Sequence, residues 1–169
     1  MKGQKNLHCL LAGILLSISS GSFAQPAAVV SSPGVTVPEP VASTPTMAEL
    51  LQQPVYKARW QKMVKGQKNL PAWARKGAGT SGPYENITWG AQQYKVGSLC
   101  KPHDCSNNFM WVAFSNDKKH VWGLRVTVAD KPEALDNPSK FATYQWLGRP
   151  NENIQAMLTA QLEKDPNWR

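Results

Sequence analysis

The chain has 169 residues, a formal net charge of +8 and a mean hydropathy of -0.42, which suit one modest domain with its own core. Beyond residue 24 no apolar run approaches the roughly 18 residues that cross a bilayer, so we expect a protein that is not membrane-embedded. The glycine-rich signatures of P-loop nucleotide enzymes and Rossmann dehydrogenases do not occur in the sequence, which argues against both classes.

The amino end of the chain predicts export. Residues 1–24 have the three parts of a secretory signal peptide: lysines near the start, an apolar run at 10–16, and a small-x-small cleavage site that ends at Ala24. Cleavage there removes Lys2 and Lys5 but no acidic residue, so the net charge falls from +8 to +6. We therefore expect a mature protein that is still basic.

The next segment, residues 25–46, differs in composition from the rest of the chain. It consists mainly of Pro, Ala, Val, Ser and Thr and contains no Lys, Arg, Trp or Tyr. A segment with so few large side chains has little to bury, which predicts a disordered or polyproline-like tether. All seven Trp and all four Tyr follow it, so we place the folded domain at residues 47–169.

The domain begins with helical patterns and continues with strands. Thr46 is a candidate cap for a short helix at 47–53, and Pro54 suits the first turn of a second helix that ends at Gly66. A turn-rich connection at 70–79 leads to five β-type runs, and a helix at 151–164 closes the chain. The five runs are Tyr84 to Trp89, Gln92 to Leu99, Phe109 to Ser115, Val121 to Ala129 and Phe141 to Leu147. Strands in meander order predict an antiparallel sheet, so we expect the α+β class, with a central sheet of about five strands flanked by helices.

Cysteine usage singles out one short segment. Cys9 leaves with the signal peptide, and the remaining Cys100 and Cys105 are neighbours in a compartment that oxidises thiols, so we expect a single disulfide. The bond closes a small loop between the second and third strand candidates, and Pro102 with its fixed φ stiffens that loop. A rigid loop suits a binding role, because His103 is then ordered at folding and not at binding.

The segment Cys100-Lys101-Pro102-His103-Asp104-Cys105 is identical, six for six, to the hallmark hexapeptide of a known family. That family is the inhibitors of vertebrate lysozyme, the Ivy proteins of Gram-negative bacteria. Upstream, residues 63–66, 70–73 and the pair Lys76-Gly77 also resemble the family at similar spacing. By eye the similarity runs from about residue 55 to 125, and the last forty or so residues add little.

The resemblance implies an Ivy-like sandwich and a periplasmic inhibitor that is not an enzyme and needs no cofactor. In such a protein the loop enters the cleft of a c-type lysozyme and sets His103 against the two catalytic carboxylates. Lys101 then supplies a charge attracted to an acidic cleft, Asp104 orients the loop or bonds to the rim, and Cys100 with Cys105 holds the shape. The family also implies a cellular lytic transglycosylase as an alternative target, and either a monomer or a homodimer.

Other readings of the same residues stay open. A metal site formed by Cys100, His103, Cys105 and His120 has suitable residue types, but the spacing and the oxidising compartment argue against it. A cysteine nucleophile beside His103 has poor geometry in so tight a loop. The basic residues are scattered and lack an RNA-binding signature, so we expect no nucleic-acid partner and no metal.

A peptidoglycan or carbohydrate-binding module that uses exposed tryptophans is the alternative function. We expect Trp111, Trp122 and Trp146 to be mostly buried, since they fall inside strand runs, whereas the terminal Trp168 is a candidate for exposure.

The net charge presents a difficulty for the inhibitor interpretation. A c-type lysozyme is itself strongly basic, so long-range repulsion should slow its association with this chain.

Overall fold

A computed structural model describes residues 43–168 of the chain. The predicted signal peptide, residues 1–24, and the predicted tether as far as residue 42 lie outside the described residues. The last two residues of the predicted tether, Pro45 and Thr46, are bonded to the domain: the amide of Tyr84 donates to the Pro45 carbonyl, and Thr46 forms a bridge with Pro83.

The described residues form five α-helices, one short 3-10 helix and six strands. In chain order they are α1 (Met47–Gln52), α2 (Pro54–Val64), α3 (Ala72–Lys76), β1 (Thr80–Ser81), β2 (Glu85–Trp89), β3 (Gln92–Lys101), β4 (Asp104–Ser115), β5 (Val121–Val128), α4 (Glu133–Asp136), the 3-10 helix (Pro138–Phe141), β6 (Ala142–Leu147) and α5 (Glu152–Leu162).

All strands pair antiparallel in one sheet with the order β1-β3-β4-β5-β6, and β2 pairs with the same edge of β3 as β1. The expected α+β class with a central antiparallel sheet is confirmed. The sixth strand is the two-residue β1, which is too short to give a pattern in the sequence. It follows Gly79, whose backbone lies so close to the Cys100 carbonyl that a side chain there would overlap it.

Two helical layers cover the two faces of the sheet. Alternate residues of β4 show the division, as expected from the period of two along a strand. Met110, Val112 and Phe114 are buried with helices α1, α2 and α3, whereas Ala113 and its alternate neighbours pack on the face covered by α5. The sheet is therefore the middle layer of a sandwich, with β4 at its centre.

Local sequence explains where the helices begin. The Thr46 hydroxyl accepts a hydrogen bond from the Glu49 amide, and the Glu49 carboxylate accepts one from the Thr46 amide, which completes a capping box before α1. Pro54 opens α2, and the Asn151 side chain caps α5 by accepting from the Ile154 amide. The connection that the sequence reads as turns contains the five-residue helix α3, which is too short for a helical period.

The tryptophans in the strands follow our expectation. Trp111, Trp122 and Trp146 pack against the core on the face of the sheet that α5 covers, and most of their surface is buried. The fully enclosed indoles are Trp60 and Trp73, which lie under the other helical layer with 2% and 8% of their surface exposed.

Candidate functional site

The hexapeptide forms the end of the β3–β4 hairpin, and we call residues 100–105 the inhibitory hairpin after the role that the family resemblance implies for them. Lys101 and Asp104 pair in register as the last and first residues of the two strands, so the turn itself is only Pro102 and His103. The sequence predicts a four-residue loop that projects from the sheet. The structure instead continues β3 to two positions before the histidine and begins β4 directly after it.

The backbone of His103 is in the left-handed region, with φ of 64°. Proline followed by a residue with positive φ is the signature of a type II turn, in which glycine or asparagine is the usual second residue. A side chain in this conformation costs roughly 1 kcal/mol or more. His103 is nevertheless exposed at the tip, so the fold places an imidazole where a glycine would be cheaper.

A disulfide joins Cys100 to Cys105, with their Cα atoms 4.8 Å apart. Cys100 pairs with Phe109 in the ladder while the next residue, Lys101, pairs with Asp104, so residues 105–108 bulge between these two pairs. The disulfide ties the start of this bulge to β3. The disulfide therefore stabilises the bulge next to the two-residue turn. Because both cysteines are in the disulfide, neither offers a thiolate for a metal or for catalysis.

Side-chain bonds fix the charges of the inhibitory hairpin. The Lys101 ammonium lies 2.8 Å from the Asp104 carboxylate, and the Asn108 amide donates to the same carboxylate oxygen at 2.8 Å. The hydrogen bond from Lys101 is the largest cause that lowers the pKa of Asp104, and the bond from Asn108 lowers it further. In the free protein Lys101 is thus paired within the hairpin. Asn108, four residues after Asp104, is a contributor that the sequence analysis missed.

Beside the hairpin lies a groove of about 440 Å³, which we call the aromatic groove. The disulfide forms part of one wall, and three aromatic residues, Phe109, Trp111 and Trp168, form much of the rest. Trp168 packs edge-on against Phe109 with ring centroids 5.7 Å apart, and it is partly buried where we expected exposure. The chain end thereby reaches the surface next to the hairpin, which no local pattern signals.

His120 lies at the other end of the sheet. It follows the β4–β5 turn and stacks on Trp122 with ring centroids 5.6 Å apart. The alternative metal site therefore fails, because its four residues are divided between opposite ends of β4 and two of them are joined in a disulfide. Among the described residues, no helix is long and apolar enough to span a membrane.

Fold and site together define a class of protein: a small α+β binding module that presents a braced hairpin with one exposed histidine. Comparison with known proteins specifies this class further. Residues 55–164 match the family described as "Inhibitor of vertebrate lysozyme (Ivy)", and the chain belongs to that family.

Similar proteins occur in three species, and two of them carry the name of this family. A Pseudomonas aeruginosa protein named "Inhibitor of vertebrate lysozyme" is 43% identical over 133 residues, 78% of this chain and 87% of its own length. An Escherichia coli protein of the same name is 40% identical over 86 residues, 51% of this chain and 54% of its own. A Yersinia pestis protein described as uncharacterized is 99% identical over 154 residues, 91% of this chain and all of its own.

The family consists of inhibitor proteins and not of enzymes, which confirms both the resemblance and the expectation of a non-catalytic chain. The family match also extends further along the chain than the similarity that is visible in the sequence. It reaches residue 164 and so includes α5, whereas the visible similarity ends near residue 125. The helix contributes buried residues on a helical period, a pattern that many different side chains satisfy.

Proposed function

We propose that this protein inhibits a c-type lysozyme by inserting the inhibitory hairpin into the active-site cleft, with His103 against the two catalytic carboxyl groups. The observation that carries the proposal is the exposed imidazole held in a left-handed turn between two bonded strands and a disulfide. Membership of the family, and the names of the relatives from two species, support it.

The chemistry of the cleft suits an imidazole. Glycosidases of this class work with one protonated and one ionised carboxyl group that flank the scissile bond. A neutral imidazole has one donor and one acceptor nitrogen, so it can accept from the acid and donate to the carboxylate. His103 would satisfy both groups and occupy the space that the substrate needs.

The bracing of the hairpin supports tight inhibition. A flexible loop loses conformational freedom when it binds, and that loss weakens affinity. Here the disulfide, the Lys101–Asp104 ion pair and the Asn108 hydrogen bond restrict the turn before the partner arrives. We also propose that the protein acts in the periplasm, on the strength of the signal peptide that residues 1–24 predict.

The test is inhibition of a purified c-type lysozyme by the exported protein and by His103→Ala. We expect the substitution to weaken inhibition by at least about a hundredfold, because loss of a buried, charge-assisted hydrogen-bond partner costs about 3 kcal/mol. His120→Ala is the matched control, since it removes the same side chain at the far end of the sheet. Undiminished inhibition by His103→Ala would contradict the hairpin mechanism.

The same assay with a lytic transglycosylase in place of lysozyme addresses the second target class. This enzyme also cleaves peptidoglycan with a carboxyl group, so a hairpin built for one such cleft has the chemistry to enter the other. Stronger inhibition of the transglycosylase than of lysozyme would make self-regulation the primary role. The reverse order would make defence against a host enzyme primary.

The aromatic groove favours a second candidate function, binding of a peptidoglycan glycan. Aromatic rings beside Ser106 and Asn107 offer apolar faces and hydrogen-bonding groups of the kind that sugars use. Sedimentation with insoluble peptidoglycan tests it. If the groove binds glycan, Trp168→Ala should lose co-sedimentation and His103→Ala should keep it. The inhibitor proposal alone predicts that the unaltered protein does not co-sediment.

A further inference from the structure

A second concave site lies at the end of the sheet away from the inhibitory hairpin, and we call it the cationic cleft. Its volume is about 420 Å³, and its floor includes the buried residues Met63 and Val121. Basic side chains form most of its wall: Arg59, Lys62, Lys65, Lys119, Arg149 and, beside them, His120. None of the residues that line it carries a carboxylate.

Three separate chain segments bring these cations together. Arg59, Lys62 and Lys65 come from α2 and the residue that caps it, Lys119 comes from the β4–β5 turn, and Arg149 comes from the β6–α5 turn. The Arg59 side chain also joins two of these segments, since its Nε donates to the Lys118 carbonyl at 3.2 Å. The residues are scattered along the sequence, and only the fold makes them a cluster.

The third segment is held in an unusual conformation. Gly148 and Arg149 both have positive φ, 79° and 55°, and Arg149 is one of four such non-glycine residues in the described chain. Gly148 lies directly against the Val121 carbonyl, where a side chain would overlap. This close approach fixes the turn on β5 and places Arg149 at the cleft. Such strained positions cluster at binding sites.

The charges of the cleft are largely uncompensated. Lys119 pairs with Asp117 at 3.6 Å, but among the residues that the structure describes no acidic side chain lies within ion-pair distance of Arg59, Lys62, Lys65 or Arg149. Like charges that line one cleft repel each other, and a bound anion relieves the repulsion. The volume is in the range of small-ligand pockets and exceeds what a single ion needs.

We propose that the cationic cleft binds a phosphate group, carried either by an anionic lipid or by a soluble phosphate compound. Arginine forks and lysine ammonium groups together match the several oxygens and multiple charge of phosphate. The site is independent of the inhibitory hairpin. Tyr94 pairs with Ser115 at the cleft end of β3, and Lys101 lies seven residues further along the strand, roughly 23 Å away at the usual rise.

The experiment uses the exported protein and two probes, inorganic pyrophosphate and vesicles of phosphatidylglycerol, with phosphatidylcholine vesicles as a neutral comparison. Pyrophosphate binding is followed by NMR of the backbone amides, and vesicle binding by co-sedimentation. The cleft variant is Lys62→Gln with Arg149→Asn, because asparagine tolerates the left-handed backbone at 149. The matched control is Lys57→Gln with Lys76→Gln, which removes two exposed charges outside the cleft.

We expect pyrophosphate to shift the amides of residues 119 and 149, and the cleft variant to lose about tenfold or more in affinity while the control changes less than about twofold. Pyrophosphate binding without vesicle binding assigns a soluble ligand, and binding to anionic but not neutral vesicles assigns a lipid. No binding of either probe, or an equal loss in both variants, overturns the proposal. At an ionic strength of about 0.15 M, where long-range repulsion is largely screened, lysozyme inhibition by the cleft variant is expected to be unchanged, which separates this site from the hairpin.

Discussion

At the scale of the residue, His103 occupies a backbone conformation that glycine would adopt at lower cost. The side chain of His103 is exposed and does not pack in the core, so the strained backbone is not compensated by packing. Backbone strain of this kind is typical of residues that bind a ligand or a partner. The imidazole is therefore better explained by a partner than by the stability of the fold.

His103→Gly tests this explanation by separating stability from function. We expect the free energy of unfolding to stay equal or to rise by up to about 1 kcal/mol, because the left-handed strain is relieved. Inhibition should fall as far as in His103→Ala. Urea denaturation measures the first quantity and lysozyme turnover the second. A clear loss of stability in His103→Gly would mean that the imidazole has a structural role instead.

Asp104 gives the hairpin a pH limit. Its pKa is lowered in the folded chain, chiefly by the hydrogen bond from Lys101, so it stabilises the fold above its usual value of 3.8 and ceases to do so as pH falls through the lower folded value. Asp104→Asn should therefore be less stable than the unaltered protein at pH 7 and at pH 5. The difference should shrink below pH 3.8. Thermal unfolding of both proteins across this range measures it, and a pH-independent difference would contradict the assignment.

At the scale of the element, the β3–β4 hairpin combines a regular ladder with one irregularity near its tip. Because residues 105–108 bulge out of the ladder, β4 extends a shorter distance than a regular strand with the same number of residues. The disulfide anchors the bulge to β3. The central strands of the sheet thus run directly into the inhibitory turn. The position of the turn is set by the sheet and not by a free loop.

Removing the disulfide should affect function more than stability. Cys100→Ser with Cys105→Ser is expected to lower the free energy of unfolding by up to about 2 kcal/mol, the value for closing so short a loop. The loss of binding free energy to the lysozyme should exceed the loss of unfolding free energy, because the bulge is then free to shift the turn. Parallel denaturation and inhibition assays of the double variant measure both. Full potency would show that the ladder alone positions His103.

The elements differ in how far the sequence predicts them. Long patterned segments such as β5 and α5 are predicted to within two residues, because buried side chains recur at the strand or helix period. The start of β4 is predicted five residues late, at Phe109 and not at Asp104, since polar residues 104–108 give no strand pattern. Their pairing depends on the disulfide and on the two-residue turn, which are contacts across the hairpin.

The site shows the same division between local and distant information. The hexapeptide is visible in the sequence because all six residues are contiguous, whereas the cationic cleft draws on positions from 59 to 149. From the sequence we interpreted the basic residues as scattered. The fold instead gathers several of them at one end, and neither periodicity nor composition carries information on such a convergence.

At the scale of the whole molecule, charge is distributed unevenly between the two ends of the sheet. The inhibitory hairpin carries a compensated pair, Lys101 and Asp104, while the cationic cleft carries most of its charge unpaired. In the proposed complex, long-range repulsion from a basic lysozyme then acts mainly on the end that points away from the contact. The arrangement reduces, without abolishing, the penalty expected from a net charge of +6 after removal of the predicted signal peptide.

Salt should therefore speed association. Raising ionic strength from about 0.01 M to about 0.15 M shortens the screening length from about 30 Å to about 8 Å, so the repulsion between two basic proteins is largely removed. We expect a higher association rate and a nearly constant dissociation rate in surface plasmon resonance. The cleft variant Lys62→Gln with Arg149→Asn should show a smaller salt effect. Slower association at higher salt would mean that local attraction at the contact dominates.

The docking of Trp168 against Phe109 has a practical consequence for experiments on this protein. It brings the carboxyl end of the described chain to the wall of the aromatic groove, within the surface that surrounds the inhibitory hairpin. A tag fused after residue 169 would begin two positions after Trp168 and, in the proposed complex, would compete for space with the enzyme. Such a fusion should thus be a weaker inhibitor than the same protein after the tag is cleaved.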